Sequence, residues 1–203
     1  MQSLVRACQT PDFPAEITCV LSNNLEAAGL KFAAEHSIPT RTIDHRDFEG
    51  REEFEAEITR YLTDLDVDLI CLAGFMRLLT ADFVNRWRDR ILNIHPSLLP
   101  AFKGLHVHER AIESGARFTG CTVHYVRPEM DDGPIIAQAA VPILQDDTPD
   151  SLAGRILEQE HKIYPLALKL VAENRVKIHG SRVIIERVTE AAQSLINPKL
   201  EEF

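Results

Sequence analysis

The chain has 203 residues, 45% hydrophobic and 26% charged, a composition that excludes a disordered or fibrous protein and allows one substantial α/β domain. Its formal net charge is −9, with no Lys/Arg run longer than two, which argues against nucleic acid as the main partner. An anionic substrate must therefore be held by local donors against the overall field.

No run approaches the roughly 20 apolar residues of a membrane span, and the N-terminus lacks the apolar core of a signal peptide. The four cysteines, Cys8, Cys19, Cys71 and Cys121, are scattered and form no CxxC pair. They read as buried reduced thiols, so a cytoplasmic protein without membrane contact is expected.

The first predicted element is an amphipathic helix over residues 2–9, with Leu4, Val5 and Cys8 on one face. A strand over 17–21 follows, then the cap cluster Ser22-Asn23-Asn24 and a helix over 25–36. Residues 40–43 form a short strand. Residues 51–65 form a helix with Phe54, Ile58, Tyr61, Leu62 and Leu65 on one face. The continuous apolar run LICLA at 69–73 has the pattern of a strand buried on both faces, and Gly74 ends it. A short helix over 81–87 leads to a buried strand over 91–94 that runs into His95-Pro96. Repeated β-α units predict a doubly wound, mostly parallel sheet.

In the second half, strands over 120–126 and 135–143 are joined by a loop too short for a helical crossover, so the pair is antiparallel. Thr148 caps a long helix to residue 170, which Pro165 should kink. Residues 176–178 and 183–185 form a hairpin around Gly180. The prediction is an α/β fold with antiparallel strands in the C-terminal half: one domain over 1–187 and a polar tail over 188–203.

Chemistry concentrates in Asn93-Ile94-His95-Pro96-Ser97-Leu98-Leu99-Pro100. Asn93 and His95 are two apart at a strand's C-terminal end, so their side chains point the same way. That end is where open α/β sheets bind ligands. An amide beside an imidazole suits acyl transfer, the amide N–H stabilising an oxyanion while the imidazole moves a proton. The same residues also fit an ordinary strand end with a satisfied histidine, and the pattern leaves both readings open. Asp131, in a Met-Asp-Asp-Gly-Pro turn, can orient a nearby histidine, although turns favour Asp in any case.

The loop after LICLA carries Phe75, Met76, Arg77, Leu78 and Leu79, large apolar groups with one cation, suited to a flat ligand with an acidic tail. It also fits a plain apolar helix start with a surface arginine. His106, His108 and His124 invite a metal, with His106 and His108 ligating from a strand. The sequence, however, has neither HExxH nor a Cys partner at ligand spacing, and no metal is expected. Glu160-His161 is a further polar pair, equally at home in a surface ion pair.

Together these motifs resemble the glycinamide ribonucleotide formyltransferase family, over residues 1 to about 185. The resemblance is carried by ITCVL-SNN, LAGFMRLL, LNIHPSLLPAFKG, LHVHERA, GCTVHYV, MDDGPIIAQ and QEHKIYPLAL. NIHPSLLP and DxGPII are shared with a wider group that includes methionyl-tRNA formyltransferase and formyltetrahydrofolate deformylase. GLHVHERA and EHKIYP point to the ribonucleotide enzymes.

The resemblance implies 10-formyltetrahydrofolate as formyl donor, glycinamide ribonucleotide as acceptor, no metal, and a role in purine synthesis. It implies a catalytic trio of Asn93, His95 and Asp131. The folate site falls on residues 75–79, on Val126, Arg127, Pro128 and Glu129, and on Arg51 for the glutamate tail. The ribonucleotide falls on Ile94 and Glu160. Two departures stand out. Asp132 replaces a glycine of the family's Asp-Gly-Gly turn. The family also begins with an apolar strand and a Gly-Ser-Asn phosphate loop ahead of the helix that here starts at Gln2, so a late start or a truncation is expected.

The tRNA enzyme would need an added basic domain, and the deformylase usually carries an N-terminal regulatory domain. A non-catalytic relic that keeps only the folate pocket is the alternative from another class.

Overall fold

The computed structural model describes residues 1–187, 189 and 194–198, so most of the expected tail over 188–203 lies outside the described residues. The elements are α1 (Gln2–Cys8), β1 (Val20–Ser22), α2 (Ala28–Glu35), β2 (Thr40–Thr42), α3 (Arg51–Asp64), β3 (Ile70–Leu72), α4 (Ala81–Arg86) and β4 (Ile91–His95). They continue with α5 (Val107–Glu113), β5 (Phe118–Tyr125), β6 (Ile135–Pro142), α6 (Pro149–Ala172), β7 (Val176–His179) and β8 (Arg182–Ile185). The fold is mixed α/β. β1 pairs parallel with β2, and a four-stranded sheet has the order β3-β4-β5-β6. Its β3–β4 pair is parallel and its β5–β6 pair antiparallel, as is the β7–β8 hairpin. No helix among the described residues is long and apolar enough to cross a membrane.

The chain divides into two compact units, Met1–Asn93 with Tyr125–Glu129, and Ile94–His124 with Met130–Phe203. In the first, a buried cluster of Ile43, Phe54, Ile58, Leu62, Phe83, Trp87 and Ile91 forms the core. The i, i+4 spacing of Phe54, Ile58 and Leu62 turns one stripe of α3 into that core. The LICLA strand differs from expectation: Ile70, Cys71 and Leu72 are half-buried, because β3 is a terminal strand of its sheet.

In the second unit α6 packs on β6 and α5 through Leu152, Ile156, Ile163, Tyr164 and Ala167. Its start is a reciprocal cap: the Ser151 N–H donates to Thr148 Oγ1 at 3.2 Å and the Thr148 N–H to Ser151 Oγ at 3.0 Å. Pro149, at the first helical position, loses no hydrogen bond there. The helix runs through Pro165 without a break. Gly120 is dictated by pairing, since a Cβ there would lie 1.8 Å from the Ala139 carbonyl oxygen. Of the expected tail, Asn197 is tied back, its amide donating to the Arg117 carbonyl at 2.8 Å and the Ile143 carbonyl at 3.2 Å.

Candidate active site

β4 ends at His95, with Asn93 two residues earlier on the same strand, so the strand's alternation sends both side chains to one face. The segment after His95 is folded back by buried hydroxyls. Ser97 Oγ donates to the Ala101 carbonyl at 2.6 Å. Thr122 Oγ1 donates to the Ser97 carbonyl at 2.7 Å and accepts the Leu99 N–H at 3.1 Å. Gln138 Nε2 closes the clamp on Thr122 Oγ1 and the Leu99 carbonyl. This fold brings the Phe102 carbonyl to 3.0 Å from His95 Nε2.

The other ring nitrogen of His95, Nδ1, lies 3.5 Å from Asp131 Oδ2. Both ring nitrogens thus face oxygen acceptors. A neutral ring can donate to one of them and an imidazolium to both. Asp131 Oδ2 also accepts the Gly104 N–H at 2.8 Å, which fixes the carboxylate. The residue takes φ +52°, a left-handed conformation that Asp tolerates better than most side chains. Asp132 has no positive φ, so the replacement of a glycine there costs no backbone strain. Its carboxylate instead pairs with Lys103 Nζ.

Two neighbours of Asp131 were not read as such from the sequence. His124, 2% exposed on β5, places Nε2 3.9 Å from Asp131 Oδ1, so the carboxylate stands between two histidines. Its place in GCTVHYV, within a strand buried almost throughout, was the available signal. The second is the β7–β8 turn. A cavity of about 500 Å³ beside Asp131 and Asp132 is lined by Leu99, Pro100, Ser181 and Arg182. Sequence separation of some 50 residues hid that neighbour.

His106 and His108 do not lie on a strand. His106, at φ +56°, precedes α5 and contacts Glu109 at 3.6 Å, while His108 lies within the helix. Burial pushes the His108 imidazole below its usual value.

The residues expected at the folate site lie in the first unit and divide by alternation. Phe75 and Leu79 pack on the core cluster, and Arg77 sits over the Phe54 ring, Cζ to centroid 5.9 Å. Met76 and Leu78 are turned outward, 83% and 64% exposed. Arg51 is exposed at the first position of α3. Val126 is half-buried against the same core, and Pro128 and Glu129 are exposed. Arg127 is engaged within the protein, donating to Asp89 Oδ1 at 2.5 Å and to the Val126 carbonyl at 3.0 Å. In the second unit, Ile94 is half-buried beside His95, and Glu160 is half-buried on α6 with its carboxyl pushed up by burial.

Comparison with known proteins gives the family. Residues 1–168 match the family described as Formyl transferase. The chain is 44% identical to phosphoribosylglycinamide formyltransferase of Haemophilus influenzae over 186 residues, 92% of this chain and 88% of that protein. It is 47% identical to the trifunctional purine biosynthetic protein adenosine-3 of Gallus gallus over 178 residues, and spans only 18% of that longer protein. Glycinamide ribonucleotide transformylase 1 from Symbiobacterium toebii superposes with a TM-score of 0.88 at 43% identity, covering 91% of this chain and 87% of that one. A match of that extent, on a chain whose strand-end histidine and loop aspartate stand within reach of each other, shows that the protein belongs to the phosphoribosylglycinamide formyltransferase family of formyl transferases.

Proposed function

We propose that the protein transfers the formyl group of 10-formyltetrahydrofolate to the primary amine of glycinamide ribonucleotide, a step of purine synthesis. The observation that carries this reading is the Asp131 carboxylate 3.5 Å from His95 Nδ1, at the end of a strand that also bears Asn93. The substrate amine attacks the formyl carbon, giving a tetrahedral intermediate with an oxyanion. The Asn93 amide donates to that oxygen, and so does His95 Nε2–H when it exchanges the Phe102 carbonyl for the oxyanion while Nδ1 stays on Asp131. Asp131 orients His95 and, through water, relays a proton from the attacking nitrogen to N10 of the folate as the C–N10 bond breaks. The products are the formamide and tetrahydrofolate, with no net redox change and no covalent enzyme intermediate.

The folate is held by residues 75–79, by Val126, Pro128 and Glu129, and by Arg51 at its acidic tail. Arg127 belongs to the same segment, which its pair with Asp89 steadies. Ile94 and Glu160 serve the ribonucleotide. The four cysteines are free thiols, in keeping with work in a reducing cytoplasm.

Loss of one transition-state donor costs about 2.7–4 kcal/mol. His95→Ala should therefore lower kcat by about 100- to 1000-fold while the Kd for tetrahydrofolate, measured by calorimetry, stays within about twofold. Turnover near that of the unsubstituted protein would remove His95 from the chemistry.

A further inference from the structure

We propose that Glu55, a buried carboxylate on α3, is a positioning residue for the formyl donor, acting through Thr80 to hold the loop over residues 74–79. The inference rests on the reading of that loop as the folate site. Glu55 is 4% exposed, an unusual place for a carboxylate, and it faces no cation within bonding distance among the described residues. Its two oxygens are spent on one residue: Oε1 accepts the Thr80 N–H at 2.9 Å and Oε2 accepts the Thr80 hydroxyl. Thr80 Oγ1 in turn accepts the Phe83 N–H at 3.2 Å as the cap of α4.

The connection matters because of what lies on either side of Thr80. Upstream, the stretch from β3 to α4 has no regular secondary structure of its own, and Gly74 turns it at φ +68°. Such a segment keeps one shape only where its ends and side chains are anchored. Downstream, Thr80 caps α4, and Trp87, just past the end of that helix, donates its Nε1–H to Thr59 Oγ1 on α3 at 3.4 Å.

α3 anchors the loop at consecutive positions. Phe54 lies under the Arg77 guanidinium, and Glu55 grips the loop's last residue. Arg51, assigned above to the folate's acidic tail, is one helical turn before Glu55 on the same helix. A single rigid element therefore carries a tail contact and sets the loop. Replacing the carboxylate weakens donor binding without touching the reacting atoms.

The test is steady-state kinetics and tetrahydrofolate titration on Glu55→Gln, Thr80→Val, Thr80→Ser, Ile58→Val and Arg77→Ala. Loss of one charge-assisted hydrogen bond predicts a rise of about tenfold or more in donor KM and tetrahydrofolate Kd for Glu55→Gln and Thr80→Val. Saturated kcat and the KM for the amine substrate should stay within about twofold. Thr80→Ser retains both donors to Glu55 and should bind normally. Ile58→Val loosens the same helix's packing away from Thr80, so it should melt lower with unchanged donor KM.

Should Glu55→Gln fail to fold, Thr80→Val carries the test, because it leaves no altered charge in the interior. A donor KM raised by Arg77→Ala but unchanged in Glu55→Gln and Thr80→Val overturns the inference alone. Ile58→Val raising it as much as Glu55→Gln would also overturn it, by showing a general loss of packing. A flat response of all variants, Arg77→Ala included, sinks the folate reading of the loop and the inference with it.

Discussion

Asp131 and Asp132 are neighbours with opposite duties. Asp131 holds a left-handed backbone, accepts the Gly104 N–H, and faces His95 and His124. Its carboxylate is therefore held from several directions, and Asp131→Asn should lower kcat by at least about 100-fold, as loss of a proton-transfer partner does. Asp132 makes one ion pair with Lys103, with side chains 58% and 34% exposed. Exposed pairs of this kind are worth about 0–1 kcal/mol. Asp132→Gly should leave kcat within about threefold and the melting temperature nearly unchanged. Comparable losses in both variants, measured side by side, would mean that Lys103–Asp132 sets the Asp131 carboxylate. The sequence could name Asp131 by resemblance but could not say which aspartate takes the glycine-like conformation, because φ is decided by how the loop closes on Gly104.

Among the elements, α6 shows how a start signal becomes stability. Asp147, just before its cap, is fixed by four donors: Arg155 Nη1 and Nη2, the Leu144 N–H and Ser151 Oγ, each at 2.8 Å. The Arg155 guanidinium holds the Asp147 carboxyl well below the usual carboxylate range. A pKa depressed by folding stabilises the protein at pH above the unfolded value of about 3.9, and the contribution is lost as pH falls through the folded value. Asp147→Asn should therefore melt lower at pH 7, by about 1.5 kcal/mol for a charge-assisted contact near solvent. The gap between the two proteins should close as pH drops below about 4. A gap that persists unchanged at pH 3 would trace the effect to packing. The helix itself was legible, from Thr148, Pro149 and the apolar stripe. α5 was not, because seven residues are too few to show a helical period, and only the burial of Val107 and Ala111 marks its inner face.

For the molecule as a whole, the net charge of −9 sets a field that repels anions, the two substrates proposed above included. Raising ionic strength from about 0.01 to 0.15 M shortens the Debye length from about 30 to 8 Å. Values of kcat/KM for the formyl donor should therefore rise with added salt over that range. A fall would show that Arg51 and Arg77 outweigh the global charge at the binding surface. Composition and periodicity determined most of the architecture: the α/β alternation, the antiparallel β5–β6 pair and the capped α6 follow from residue pattern, since each is a local property of a few consecutive side chains. They also placed Asn93 and His95 on one strand end. Tertiary structure alone decided that His124 joins Asp131, that Arg127 is occupied by Asp89, and that a buried Glu55 closes the loop at Thr80. These pairs are 7, 38 and 25 residues apart and leave no periodic trace. Their contacts exist only once separate strands and helices have been brought side by side, and the cost of burying each polar group is what makes its partner specific.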